Sequence, residues 1–514
     1  MRRFILVLLT LAILGSLVIV ATLSSGAVGP CEDWPMFHHD LALSGYTTSD
    51  APDGNTTLWI YATGSNITSS PAIVGGKLYI GCMDGKLYAL NANTGALLWT
   101  FGTNGPIYSS PAVAYDKVYF LSTDGNIYAV DANTGAFVWS TGGMGGPWSW
   151  SSPVVHDSRV FIGASNGWIH CLDAATGAII WSTLVGGSPN SPITVANGKV
   201  FSGTHNMDNS SPTLVALGEL TGAIIWTYNH TAWHQPTIGM VNSNGAAVVD
   251  GDGDGDLEVY FGIVTWQGVG NEAIALDEAT GNEIWTQNLN GWSTSTPAVH
   301  DGKVFIGSDD GKLYALDAAT GAYVWNYQTG GPVWAAPAVA DGKVFVGSLD
   351  HTLYALDEAN GTLVWSYYTG ASRMMGSPAV SCGKVFIGNE NGKVYAFGTT
   401  EVQIDIKPGS YPNSINLGSQ GVIPVAILTD VNFDATKVDP TTVRFGPAQA
   451  KPAKYALEDV DRDGDKDMVL HFKTQDTGLS ADDTQATLTG KTRDGQTFAG
   501  SDSVRIVPPN GKGK

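Results

Sequence analysis

The stretch Ala315-Leu316-Asp317-Ala318-Ala319-Thr320-Gly321-Ala322-Tyr323-Val324-Trp325 decides the reading of this chain. Its two ends are apolar and strand-like, and the Asp-Ala-Ala-Thr-Gly between them is turn chemistry. Just upstream lie two more short apolar runs, Lys303-Val304-Phe305-Ile306-Gly307 and Lys312-Leu313-Tyr314, split by an Asp-Gly turn. Working outward, the terminal Trp recurs as Trp59, Trp99, Trp139, Trp181, Trp226, Trp285, Trp325 and Trp365, at spacings of 40, 40, 42, 45, 59, 40 and 40 residues. The Asp-x-x-Thr-Gly turn recurs at 131–135, 173–177 and 277–281, with weaker copies at 91–95, 357–361 and ahead of Trp226.

A fixed period of about forty residues is the mark of a repeat architecture. Each unit holds four short runs that alternate or stay apolar, separated by Gly/Asp turns, which predicts four strands. Such a unit cannot bury both faces alone, so copies must stack radially into a propeller, with each Trp packed between adjacent sheets rather than against a cofactor. Inner three-strand units begin at Pro71, Pro111, Pro153, Pro192, Pro236, Pro297, Pro337 and Pro378, which predicts eight blades. The strand at 57–63 precedes any inner unit, and the last unit lacks an outer strand. These leftovers are expected to pair and close the ring, which removes the exposed edges. The predicted class is all-β: a lead-in at 28–56, an eight-bladed propeller at 57–398, then a smaller β domain.

Composition narrows the function. The 514 residues carry 47 acidic and 26 basic side chains, a formal net charge of −21. This excludes nucleic acid and anionic membrane surfaces as main partners, because both demand clustered Lys and Arg. Arg2 and Arg3 precede an apolar run over 4–23, followed by Ser25-Gly26-Ala27. Residues 1–27 therefore read as a signal peptide, with an uncleaved anchor as the alternative, and no later run is long enough to span a bilayer. The mature chain is expected outside the cytoplasm: secreted, on the cell surface, or periplasmic in a two-membrane cell. Sequons at Asn55, Asn66, Asn209, Asn229 and Asn360 permit glycosylation there. The four cysteines, Cys31, Cys82, Cys171 and Cys382, form no Cys-x-x-Cys motif, and their pairing stays open.

The eleven-residue pattern at 129–139 and 315–325 resembles the tryptophan-docking motif of the pyrroloquinoline-quinone (PQQ) repeat superfamily of eight-bladed propellers. Asp33-Trp34-Pro35-Met36-Phe37-His38-His39-Asp40 is similar to the lead-in of its secreted members. The resemblance covers about residues 33–398. It implies the fold, and it implies either of two functions, because the superfamily holds quinoprotein dehydrogenases and non-catalytic scaffolds. The dehydrogenases carry adjacent cysteines that form a vicinal disulfide and a Glu/Asn/Asp calcium set, and neither is recognisable here. PQQ is accordingly not expected.

From Glu401 the pattern changes. Short runs such as 402–406, 422–428, 469–472, 486–489 and 503–507 predict a β-sandwich over 401–507, followed by a disordered tail at 508–514. Its opening stretches, 404–410 and 421–428, resemble an accessory domain at the C-termini of secreted archaeal and bacterial proteins.

Two acidic loops have matched spacing. Asp250, Asp252, Asp254, Asp256 and Glu258 surround Gly255, and Asp459, Asp461, Asp463, Asp465 and Asp467 surround Gly464. Carboxylates that converge this closely repel one another unless a hard cation sits between them, and Ca²⁺ accepts such flexible oxygen sets. Two structural calcium sites are expected; a solvated acidic turn is the alternative.

Residues just ahead of each inner unit are expected to ring one mouth of the central channel: Thr68, Tyr108, Trp150, Pro189, Trp233, Thr294, Trp334 and Met375, with Trp148 and Trp292 further out. Enlarged loops add His205, Asn206, Asp208, Trp266 and Gln267, with His230 and His234 nearby. Such an aromatic funnel suits stacking on a sugar or gripping a peptide, unless the rings merely plug the channel. His38 and His39 are placed at the surface. No nucleophile–base pair stands out. The expected function is a non-catalytic binding or scaffold module for a protein or glycan at the cell surface. A PQQ-dependent alcohol or aldose dehydrogenase and a polysaccharide hydrolase or lyase are the alternatives.

Overall fold

The computed structural model describes residues 31–144, 150–206, 213–230, 241–243, 245–265, 271–370, 372–430 and 433–507; the expected signal peptide and C-terminal tail lie outside them. Among the described residues no helix is long and apolar enough to cross a membrane. Eight antiparallel sheets form the blades of the propeller. A representative blade runs from its innermost strand Ala298–His300 through Lys303–Gly307 and Lys312–Asp317 to the outer strand Tyr323–Gln328. Successive residues Val304, Phe305 and Ile306 are all buried, because each sheet is covered on both faces by its neighbours. The outer strand buries only Trp325 deeply.

The innermost strands touch in a closed circle, and Ala72–Val74 contacts both Ala112–Ala114 and Ala379–Ser381. Closure takes place as the leftovers demand: Thr57–Ala62 pairs antiparallel with Lys393–Phe397, with Trp59 opposite Ala396.

The repeat motif explains the contact between blades. The indole N–H of Trp139 donates to the carbonyl of Ala174 in the next blade at 3.1 Å. Its ring lies on Gly177, where an added Cβ would sit 2.5 Å from the ring, and Gly177 has φ +72°. Only Gly meets both demands, which is why Thr-Gly recurs with Trp. Trp99, Trp181, Trp285 and Trp325 dock likewise on Ala132, Glu219, Ala318 and Glu358. Blade eight offers Trp365 no such turn to dock on, because it is split between the chain's two ends; the Trp365 indole donates to Pro52 of the lead-in at 2.9 Å.

The lead-in is a strap across one face of the ring. Trp34 exchanges two backbone bonds of 2.7 Å with Ile73 on the innermost strand of blade one. Carbonyls of Pro35, Leu41, Ala42, Ser44 and Gly45 then accept from the N–H groups of Val113, Val195, Val248, Val299 and Val339. Residues Tyr46–Thr47 add a parallel strand to blade seven, and Glu32 accepts from Ser381 in blade eight. A Cys31–Cys382 disulfide fixes the strap's start to the last blade, while Cys82 and Cys171 are buried free thiols. His38, expected at the surface, is buried instead. Its two ring nitrogens lie 2.8 Å from the carbonyls of Leu43 and Pro337, tying the strap to itself and to blade seven.

Beyond the propeller, two four-stranded sheets face one another across one core. Ile423, Val425, Leu470 and Phe472 come from one sheet and Val443, Phe445, Leu488 and Phe498 from the other. The Thr497 N–H donates to the Thr56 hydroxyl at 2.7 Å, which joins this unit to the strap's end.

Candidate functional site

The strapped face is the one where each innermost strand turns into the second. The opposite mouth is held by a belt of hydroxyls from the Ser-Pro starts. Ser110 Oγ accepts from the Ser70 N–H at 2.9 Å, and Ser152 Oγ from the Ser110 N–H at 3.0 Å. Ser377 Oγ accepts from the Ala336 N–H, and Ser70 Oγ from the Ser377 N–H, so the belt crosses the join between the chain's two ends. The residues one or two positions ahead of these hydroxyls are therefore set at fixed angles around the mouth.

One aromatic pair and one aromatic–carboxylate pair are described there. Tyr108 and Trp150 stack with centroids 5.6 Å apart and planes 25° from parallel, and Trp150 is 49% exposed. Across the ring, Trp334 donates its indole N–H to Asp309 at 2.7 Å, and the Asp309 N–H donates to the Trp292 carbonyl. Asp309 thus aims Trp334 and was not singled out in the sequence. Its only signal is an acidic residue ahead of the Asp-Gly turn where other blades place Thr123 or Met83. Trp148, Trp233, His234, Trp266, Asp208 and Gln267 lie outside the described residues. His205 is half-buried and bridges through its backbone to Ser188, with N–H and C=O both bonded. His230 pairs with Glu272 at 2.6 Å.

The acidic loops are on other surfaces. In the first, the carboxylates of Asp250, Asp252 and Asp254 come within 4.8 Å of one another; in the second, those of Asp459, Asp461 and Asp467 do. Gly255 and Gly464 have φ +100° and +104°, the left-handed geometry that turns each loop back on itself. Asp256, Glu258, Asp463 and Asp465 are outside these close triads, but Glu258 feels the charges of Asp252 and Asp254, Asp463 that of Asp461, and Asp465 those of Asp461 and Asp467. Glu258 points inward, accepting from the Gly251 N–H and the Tyr260 hydroxyl, and burial pushes its carboxyl up. Asp467 is fully buried and accepts from the N–H groups of Val460 and Thr429. The Asp465 carboxyl is raised to about 6, first by loss of water and then by Asp463 and its other acidic neighbours. Each cluster is an all-oxygen donor set of the kind that takes a hard divalent cation.

The family model described as outer membrane protein assembly factor BamB matches residues 47–147, 123–267 and 270–418. The chain belongs to this PQQ-repeat family. Solved structures with the same propeller fold include a quinohemoprotein alcohol dehydrogenase from Comamonas testosteroni, 18% identical, with a TM-score of 0.60 over 71% of this chain and 80% of that one. BamB from Moraxella catarrhalis is also 18% identical, with a TM-score of 0.54 over 67% of this chain and 99% of that one. A europium-containing methanol dehydrogenase aligns at 16% identity and a TM-score of 0.58, over 73% of this chain and 98% of that one. No curated protein sequence matches the chain.

Proposed function

We propose that the chain is a non-catalytic binding or scaffold protein of the cell surface or extracellular space that holds a protein or glycan at its unstrapped mouth. The observation that carries this reading is the Tyr108–Trp150 stack, with about half of the Trp150 side chain left to water. An exposed indole braced by a second ring offers a flat apolar face at little entropic cost, which suits a sugar ring or an extended peptide. The rigid belt beneath it supports a preformed site. Family membership with an assembly factor favours the protein arm of the proposal. Probing glycan and peptide arrays with the purified chain tests the reading. Saturable binding without turnover supports it. Dye-linked alcohol oxidation on addition of PQQ, or depolymerisation of a bound glycan, replaces it with an enzyme.

We further propose that Asp250, Asp252 and Asp254, and separately Asp459, Asp461 and Asp467, each hold a structural calcium ion. Three carboxylates within 4.8 Å repel one another strongly, and a divalent cation turns that repulsion into cohesion. The ion would fasten each loop to the strand that follows, Glu258–Thr265 in the propeller and Asp467–Lys473 in the C-terminal unit.

A further inference from the structure

Among the described residues, the C-terminal unit ends one of its sheets on the strand Lys454–Glu458, which pairs with Asp467–Lys473 on one side only. Unpaired strand edges attract other strands unless a protein blunts them with Pro, a bulge or repelling charge. No residue within this strand is Pro or Gly, and its register with its neighbour runs without a bulge. Tyr455 lies opposite Leu470 and Leu457 opposite Met468, so both side chains are on the face that forms the core. Yet Tyr455 is 57% exposed and Leu457 42%, and neither is among the residues that pack into that core.

The sequence of the edge is self-complementary. Turned antiparallel about Ala456, a second copy places its Glu458 opposite Lys454, its Leu457 opposite Tyr455 and its Ala456 opposite Ala456. Lys451 adds positive charge ahead of the strand, and Asp459 and Asp461 add negative charge behind it, so the match of sign extends past both ends. Opposed charges and apolar cross-strand pairs are the units that stabilise a sheet, and a two-fold axis supplies each pair twice.

We propose that Lys454–Glu458 is a homodimerisation edge, where two copies of this chain join their C-terminal sheets into one continuous antiparallel sheet about a two-fold axis at Ala456. The contact is short, well below the area of a standard stable interface, so the dimer is weak and forms with concentration. Two copies on one surface would then present two propeller mouths, raising avidity for a repeated ligand.

The test is sedimentation velocity of the full chain from low to high micromolar concentration in excess calcium. The wild type should shift from monomer to dimer. Lys454→Glu and Glu458→Lys each place like charges opposite one another twice, and each should weaken self-association by at least about tenfold. A mixture of these two variants should form a heterodimer more tightly than either alone, because every opposed pair is then complementary. Tyr455→Lys, outside the acidic loop, should also abolish the dimer while leaving the melting transition in place. A wild-type chain that stays monomeric throughout overturns the proposal. So does a dimer indifferent to these substitutions, or a mixture no tighter than its components.

Discussion

On one face of the propeller, residues 32–47 cross the ring and exchange backbone hydrogen bonds with innermost strands; on the other, described residues ahead of the Ser-Pro starts, Trp150 above all, meet solvent through side chains. The strapped face repeats one backbone geometry. Its two-residue turns at 75–76, 115–116, 157–158, 197–198, 301–302, 341–342 and 382–383 have a positive φ at both residues, and five of the seven end in Gly; blade five carries the acidic loop instead. The unstrapped mouth is varied, with Thr68, Tyr108, Trp150, Pro189, Thr294, Trp334 and Met375 at equivalent places. Repetition therefore serves closure on one side and has been abandoned on the other. Backbone–backbone bonds demand only shape, so uniform turns suffice for the strap. Recognition demands distinct side chains, and the proposed binding site draws on those of the mouth.

The largest expected effect concerns the strap. Replacing Cys31 and Cys382 together with Ser opens a cross-link that spans 351 residues, and unfolding stability in denaturant should fall by about 4 kcal/mol. A variant as stable as wild type would mean that the backbone bonds alone hold this face.

The next effect compares two glycines with the same backbone angle. Gly177 has φ +72° and is pressed by Trp139, whereas Gly198 has φ +70° with nothing within 4 Å of an added Cβ. Gly177→Ala should cost about 3 kcal/mol, from backbone strain plus displacement of the docked indole. Gly198→Ala should cost only the backbone share, about 1 kcal/mol. Equal losses in urea unfolding would show that Trp docking adds little between blades.

These glycines also show what the sequence makes legible. The Trp recurs eight times and the Thr-Gly turn six, with Asn360-Gly361 as a seventh variant, so blade number and the pairing of 57–63 with the last unit could be read directly from side-chain signals. The strap could not, since its bonds are made by backbone groups that any sequence carries; His38 looked like a surface residue for that reason. In the C-terminal unit the strand Val438–Phe445 was missed because Asp439-Pro440-Thr441-Thr442 reads as a turn. The strand Lys454–Glu458 was missed because it is short and bounded by charge. At the mouth, Tyr108 and Trp150 could be placed by counting back from Pro111 and Pro153, but Asp309 could not. Its role depends on Trp334 in the next blade, and no local pattern joins the two.

Calcium offers a smaller effect on both units. If each cluster is nearly saturated at a hundredfold excess over its dissociation constant, chelation should remove about 2–3 kcal/mol and lower the melting temperature of each unit. Asp252→Asn should blunt the response of the propeller and Asp461→Asn that of the C-terminal unit, each leaving the other unchanged. Calorimetry with and without chelator reads this directly, and transitions that ignore chelator would make both loops plain acidic turns.

The division between the two faces is tested most directly by ligand titration. Intrinsic Trp fluorescence should be followed as the chain is titrated with the best glycan or peptide from the arrays, for wild type, Trp150→Ala, Trp334→Ala and Asp252→Asn. Loss of one stacking ring removes about 1 kcal/mol beyond its burial. Affinity should therefore fall several-fold or more for each Trp variant and stay at the wild-type value for Asp252→Asn, which alters only the strapped face. Undiminished affinity in both Trp variants, or a loss confined to Asp252→Asn, would contradict the assignment of recognition to the open mouth.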